Sequence, residues 1–421
     1  MTAAPVTLRL VLDPDRIPAW MPALAAFVAT AAPDGPDRLH LEPVGAPVPA
    51  EVLAGMVGGV CDWAADGGDF ADVELGGDPP AGAIPVADAE SVLRALGAPA
   101  PAAPREAAAV VARAREAKAV ADAVTAILDA WRFRATPDPS GLPDPLVSVR
   151  IPTWKGHELL VSRAIPSVLG GSYANVEVVV CSDGPDPAAR AAVERARDPR
   201  VRYVELPARP VYAVHHESFW MSAGSMAANG ALDACRGDLI APLDHDDAFT
   251  EGHIDELLSA MRASGADLVY GQGACETREG PWRLIGSAPL ELGRITHGSV
   301  LHSRRLAHLR FDPHCWLLGE PGDWNLWRRM AEAGAVVAHV PRVVLIHFKE
   351  KTSIEAREEV GARELAGPVQ ADAHALAADV LGTGARWLLE APRRAPRAAG
   401  PIHPPRPRPL SASAGPRQEA G

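Results

Sequence analysis

The sequence has little cysteine, little lysine, few aromatic residues and no apolar run of membrane-spanning length. Each shortage excludes something. The five cysteines, Cys61, Cys181, Cys235, Cys275 and Cys315, are odd in number, widely spaced and form no Cys-x-x-Cys pair. That excludes a disulfide frame and a cysteine zinc site, and predicts reduced thiols. Forty-one Lys and Arg against 53 Asp and Glu leave a formal charge of −12, which argues against a broad nucleic-acid surface. No segment reaches the roughly 20 apolar residues that cross a bilayer, so no transmembrane segment is expected. No basic stretch followed by a hydrophobic one marks the N-terminus as a secretory signal, and the expected location is cytoplasmic. No Gly-x-Gly-x-x-Gly follows any strand-like run, and Gly271-Gln272-Gly273 lacks both the third glycine and a following helix. A nucleotide-dependent oxidoreductase is thereby a weak reading.

What is present is a globular chain, 48% hydrophobic over 421 residues, long enough for two domains. Residues 1–98 alternate strand-like and helix-like runs: Thr7–Leu12, Trp20–Thr30, Arg38–Pro43, Glu51–Ala64 and Ala71–Leu75. Ile84-Pro85 leads into a short helix ending near Gly97. Such alternation predicts a small α/β domain with a parallel sheet. Residues 99–145 read as a Pro/Ala linker, one long Ala-rich helix over Arg105–Arg134 and a Pro/Gly/Asp loop. Residues 351–390 read as C-terminal helices, and 391–421 as a disordered tail rich in Pro and Arg.

The main domain, 146–350, opens on Val147–Thr153, a β run followed by an amphipathic helix that Gly170-Gly171 ends. Val176–Cys181 is a second buried strand ending in Ser182-Asp183-Gly184, and Val201–Leu206 is a third. A helix from Asn229 to Ala234 leads into the strand-like Leu239–Leu243, which runs into Asp244-His245-Asp246-Asp247. This is a doubly wound pattern, whose ligands bind at the carboxyl ends of the strands, where Thr153, Asp183 and the aspartate cluster all fall. On an extended segment Asp244 and Asp246 would point one way and His245 the other. Carboxylates this close repel one another, and a divalent cation relieves the repulsion because hard oxygen ligands suit Mg2+ or Mn2+. An Asp-rich turn after a strand is the plain alternative.

Taken in order, Val147–Thr153, the strand ending in Asp183-Gly184, Ala228-Asn229-Gly230 and Leu243–Asp247 resemble glycosyltransferase family 2. The likeness continues through Ser303–Arg305, Phe311-Asp312, Gly319–Met330 and Ile346–Phe348, over about half the chain. The resemblance implies a GT-A, Rossmann-like α/β fold for 146–350. It implies a metal-dependent, inverting transfer from a nucleotide-diphosphate sugar, with a UDP-sugar as first guess. The acceptor would be a glycan, a lipid-linked or a small-molecule hydroxyl. Without a Gln-x-x-Arg-Trp motif or membrane helices, single-sugar transfer fits better than processive synthesis.

By the same resemblance, Asp244, Asp246, Asp247 and His347 are candidate ligands for Mn2+ or Mg2+. Pro152, Thr153, Asp183, Asn229 and Asp244 are candidate contacts to the nucleotide sugar, with Asp183 on the base. Trp220 is a further candidate on its own residues, since it stands in a long aromatic loop between Pro207 and Gly224 and pyranose faces stack on rings. Asp323 is the candidate general base, although a capping role at the start of a helix would also suit it. The chain departs from the family at Ser182 and Gly322, where acids are usual. Those losses sustain an alternative: a non-catalytic GT-A-like scaffold that binds a nucleotide or glycan.

Overall fold

A computed structural model describes residues 5–349 apart from 46, 67, 99–106, 140, 211, 213–215 and 278. The helices expected in 351–390 and the tail of 391–421 lie outside the described residues. The chain divides into two compact units meeting between Leu128 and Asp129. Among the described residues no helix is long and apolar enough to cross a membrane.

The first unit runs β1 (Thr7–Leu12), α1 (Ile17–Thr30), β2 (Arg38–Pro43), α2 (Ala50–Ala64), β3 (Val73–Leu75), β4 (Ile84–Val86) and α3 (Ala89–Ala95). Its sheet has the order β3-β2-β1-β4 with every pair parallel. Alternation puts Leu8, Leu10 and Leu12 on one buried face, and α1 buries Trp20, Leu24 and Phe27. The sequence reading missed β4, three residues with Pro85 at the centre, because proline argues against a strand everywhere except at an edge. Helix α4 (Ala107–Ala135) follows, and in this unit its Val124 and Ile127 lie against Gly59 and Gly55 of α2, where any side chain would meet them.

The second unit contains β5 (Val147–Thr153), α5 (His157–Leu159), α6 (Ile165–Leu169), β6 (Val176–Ser182), α7 (Pro187–Ala196), β7 (Val201–Glu205), α8 (His216–Ser222), α9 (Ser225–Ala234) and β8 (Leu239–Pro242). It continues through β9 (Ala248–Phe249), α10 (His253–Ser264), β10 (Leu268–Cys275), β11 (Arg283–Ile285), β12 (Val300–Ser303), α11 (Gly322–Glu332) and β13 (Val337–His347). One wide π turn, Leu160–Ala164, joins α5 to α6 just before Pro166, which has no N–H to give.

The sheet order is β7-β6-β5-β8-β12-β10-β13-β9, with β11 paired to β10. From β7 to β8 all pairs are parallel, as the alternating pattern predicts. Every residue of β6 is buried, as suits a parallel strand covered on both faces. Val179, Cys181 and Ile240 pack with α9 on one face, while Val178 and Val180 join Leu160, Ile165 and Leu257 on the other.

Beyond β8 the sheet ceases to be all parallel, because β12 runs antiparallel to both β8 and β10. The sheet is mixed, and its last pair decides part of the site. In the antiparallel β9–β13 ladder Ile346 faces Ala248, a register that carries His347 opposite Asp247.

Candidate active site

The carboxyl ends of β5, β6 and β8 open into a cleft of about 1340 Å³. Pro152, Thr153, Asp183, Trp220, Asp244, Asp246, Asp247, Asp323 and His347 all line it. These residues come from six separate stretches of the second unit.

The aspartate cluster is a turn. Strand β8 stops at Pro242, and the Asp247 amide donates to the Asp244 carbonyl at 3.2 Å. The strict alternation expected of an extended segment therefore does not apply, and His245 reaches the cleft beside Asp244 and Asp246. Its ring lies so close to Gly156 that a Cβ there would sit 2.0 Å from His245 Cδ2, so position 156 has no room for a side chain. The Asp246 carbonyl accepts from Arg163 Nη1 at 2.6 Å, which fixes the far side of the turn. Arg163 also lies 3.9 Å over the Phe348 ring.

Burial, with the neighbouring Asp246 charge, pushes Asp244 up to about 6. Its side chain is still 39% exposed to the cleft, so water there moderates the effect. Asp247 is 1% exposed, and burial likewise raises it to about 6 against the opposing pull of His347. Both of its oxygens are engaged: Oδ2 with His347 Nδ1 at 2.9 Å and Oδ1 with the Phe348 amide at 3.0 Å. His347 is thereby held through Nδ1.

At the other end of the cleft, Asp183 follows β6, and its amide donates to the Thr153 carbonyl at 2.9 Å. Burial raises its carboxyl, opposed by a hydrogen bond from Tyr212 and by Arg209. Tyr212 and Arg209 both come from the 207–224 segment. Helix α8 occupies part of that segment. Trp220 is 42% exposed on this helix and lines the cleft.

Asp323 sits in the first turn of α11, whose N-cap is Pro321, so the capping alternative does not hold for it. Its Oδ1 accepts from the Trp324 amide at 2.7 Å, and burial raises its carboxyl above the ordinary range. Glu320, the acid two positions before Gly322, is taken up by Arg328 and Asn325. Behind Asp323, Trp327 and Met330 are fully buried, as their helical spacing implies.

Asn229 is a correction. Its amide donates to the Phe311 carbonyl and its Oδ1 accepts from the Phe311 amide, both at 2.9 Å. It pins a backbone segment and is absent from the cleft lining, because its position on α9 turns it toward residue 311. Phe311 is what reaches the cleft.

Several residues in the cleft or packed beside it escaped the sequence reading. His297 puts Nε2 3.9 Å from Asp244 Oδ1, and burial with nearby Arg150 pushes the ring down to about 3, so it is neutral. Arg150, in the middle of β5, is 1% exposed, and its guanidinium lies 4.7 Å over the Phe311 ring. No hydrogen-bond partner reaches it among the described residues, and burial lowers it to about 10, which leaves it charged near neutral pH. Trp154 and Arg209 wall the Asp183 end. None of these has a local pattern that marks it.

Comparison with known proteins adds the family. The profile described as glycosyl transferase family 2 matches residues 220–318. This stretch belongs to glycosyl transferase family 2. The family-2 stretch holds Trp220, the 244–247 turn and His297, while Asp183, Asp323 and His347 lie outside it. Chondroitin synthase of Escherichia coli is 27% identical over 228 residues, covering 50% of this chain and 30% of that protein. An E. coli UDP-Glc:alpha-D-GlcNAc-diphosphoundecaprenol beta-1,3-glucosyltransferase is 29% identical over 128 residues, covering 30% of this chain and 46% of its own. The chain thus spans less than half the length of either relative. Among solved structures, S. aureus TarS in complex with UDP-GlcNAc aligns with a TM-score of 0.40 at 14% identity, covering 56% of this chain and 71% of that one.

Proposed function

We propose that this protein is a metal-dependent, inverting glycosyltransferase that moves a sugar from a nucleoside-diphosphate sugar to a hydroxyl acceptor. The observation that carries the proposal is the gathering of Asp183, Asp244, Asp246 and Asp323 along one cleft at the carboxyl edge of the sheet. A nucleotide at the Asp183 end places its diphosphate over the 244–247 turn, and the sugar then lies toward Asp323.

The donor set fits a divalent cation. Asp244 and Asp246 offer hard oxygens, and His347, steadied through Nδ1 by Asp247, offers an imidazole nitrogen. Among the described residues no three His, Cys, Asp or Glu side chains close into a metal cage. The fit is therefore to an open site that diphosphate oxygens complete, the usual arrangement for Mg2+. When bound, the cation supplies positive charge against the diphosphate leaving group. Asp247 acts through His347, since both of its own oxygens are engaged.

Asp323 accepts the proton of the acceptor hydroxyl as that oxygen attacks the anomeric carbon. Its raised pKa makes it a stronger base than an exposed aspartate, and the Trp324 amide holds the carboxylate still. Phe311, Trp324 and Trp220 wall this part of the cleft, where aromatic faces suit pyranose rings. One in-line displacement inverts the anomeric centre.

The test is donor consumption with Mn2+, across UDP-, dTDP- and GDP-sugars, with the first-formed product followed by proton NMR. An α-linked donor is expected to give a β product. Asp323→Asn is expected to cut turnover by about 10²–10⁴ and to leave nucleotide binding in place. A retained configuration would overturn the single displacement and the role of Asp323 together. Consumption of no donor would remove the transferase reading.

A further inference from the structure

Arg150 carries a full charge in the interior of the second unit. It is 1% exposed, and no other arginine is buried among the described residues. Its Nε, Nη1 and Nη2 all lack a hydrogen-bond partner there. A guanidinium that is buried and unpaired is costly to the fold. Such costs persist mainly where they serve a site.

The position of Arg150 says which site. In the parallel β5–β8 ladder it stands beside Pro242, and its carbonyl accepts from the Leu243 amide at 3.1 Å. It is therefore one strand away from the residues that lead into the 244–247 turn. Its guanidinium lies 4.7 Å over the Phe311 ring, and Phe311 in turn lines the cleft.

The groups around Arg150 offer it little counter-charge. Burial pushes the Cys235 thiol up to about 11, so it stays protonated. Burial also pushes His297 and His302 down to about 3, with Arg150 itself adding to both shifts, so neither ring is charged. Arg310, a second positive charge that reaches it, is paired with Asp233 at 2.5 Å. The carboxylate whose field reaches Arg150 is Asp244.

We propose that Arg150 is a fixed counter-charge buried beside the acidic turn, acting through space on the anionic diphosphate of the donor. The inference rests on the transferase reading and adds a residue to the charge balance of its donor site. Asp244, Asp246 and Asp247 carry three negative charges and a divalent cation two positive ones, so the cation alone leaves the turn as a whole negative. The Arg150 charge brings that sum to zero. Arg150 is not part of the cleft lining, so it touches no ligand. Its field crosses packed protein, which salt screens little.

Arg150→Met removes the charge and keeps an unbranched side chain that packs well on an aromatic ring. Calorimetry of the unliganded protein reads its melt. Isothermal titration of the full chain reads its affinity for UDP, dTDP and GDP with Mn2+, and for the matching monophosphates. The variant is expected to melt at or above the parent's temperature, because an unpaired buried charge is gone. It is expected to bind the preferred diphosphate on the order of tenfold more weakly, the scale of one unit charge acting over several ångströms of protein. The loss should be smaller for the monophosphate, which carries less charge. Loosened packing would instead lower melt and affinity together and treat the two ligands alike. Arg150→Gln, also neutral, keeps the test decisive should the Met variant fail to fold.

A folded neutral variant that binds the diphosphate as tightly as the parent, or that loses the two ligands equally, would overturn this inference and leave the transferase reading standing. So would a Met variant that melts well below the parent, or failure of both variants to fold, since the charge would then serve the fold. Failure of every nucleoside diphosphate to bind the parent would remove the transferase reading, and this inference with it.

Discussion

At the scale of single residues, Asp247 decides what His347 can do. A histidine at the end of a strand is free to rotate and to adopt either tautomer. Here Oδ2 holds Nδ1 at 2.9 Å, and the Phe348 amide fixes the carboxylate from the other side. Asp247→Asn keeps the size and one acceptor but weakens that hold. It is expected to lower Mn2+ affinity by about 10–100-fold, the usual cost of losing a carboxylate behind a metal-binding histidine. The signal of free Mn2+ in an electron paramagnetic resonance titration with UDP present reads this without any turnover. Unchanged affinity would show that His347 stands outside the metal site.

How much of the site could be read from sequence follows from how local each residue's marks are. Asp244, Asp246 and Asp247 lie within four positions after an apolar run, and Asp183 and Thr153 end strands, so all five were visible. Which way the acids point was not, since a turn rather than a strand carries them. Tyr212, Arg209 and His297 sit in connections whose course depends on the packed sheet. Asn229 misled because its helix position matched while its side chain turned to Phe311.

At the scale of elements, long apolar runs such as β5 and β6 were legible, whereas the two- and three-residue strands β4, β9 and β11 were not. Strand direction beyond β8 also left no local trace. Whether β12 runs parallel or antiparallel depends on where the chain crosses, not on its own residues. One side chain ties three of these elements together. His253 of α10 is 1% exposed, stacks on Phe249 of β9 at 3.5 Å and has Nδ1 2.8 Å from the Val344 carbonyl of β13.

Burial pushes His253 down to about 4, with the Val344 carbonyl opposing. Its folded pKa is thus below the unfolded value near 6.5. The unfolded chain takes up the proton first as pH falls, so the stability this group contributes is present above about 6.5 and drains away down to about 4. The change is at most about 3 kcal/mol. His253→Phe keeps a stacked ring without the titrating nitrogen. Its melting temperature is expected to fall less steeply than the parent's between about pH 6.5 and 4.5, whatever its offset at neutral pH. Some slope should remain, because His302 is buried too and pushed down to about 3. Identical slopes would show that His253 does not titrate against folding.

At the scale of the whole molecule, the candidate machinery belongs to the second unit, and no residue of the first was assigned a place in it. The central claim is that an acidic turn grips an anionic diphosphate through a cation, and its most direct test is the melting temperature with and without nucleotide and metal. Carboxylates and pyrophosphate repel, so UDP alone should bind weakly, and Mn2+ should reverse that sign locally. A ligand that binds only the folded state adds RT ln(1 + [L]/Kd), about 2.7 kcal/mol at a hundredfold excess over Kd. The account predicts a clear upward shift with UDP and Mn2+ together and little with either alone. In Asp246→Ala the extra shift should disappear while the unliganded melt stays close to the parent's. An equal shift with UDP in the presence of a chelator, or no shift with any nucleoside diphosphate and Mn2+, would contradict it.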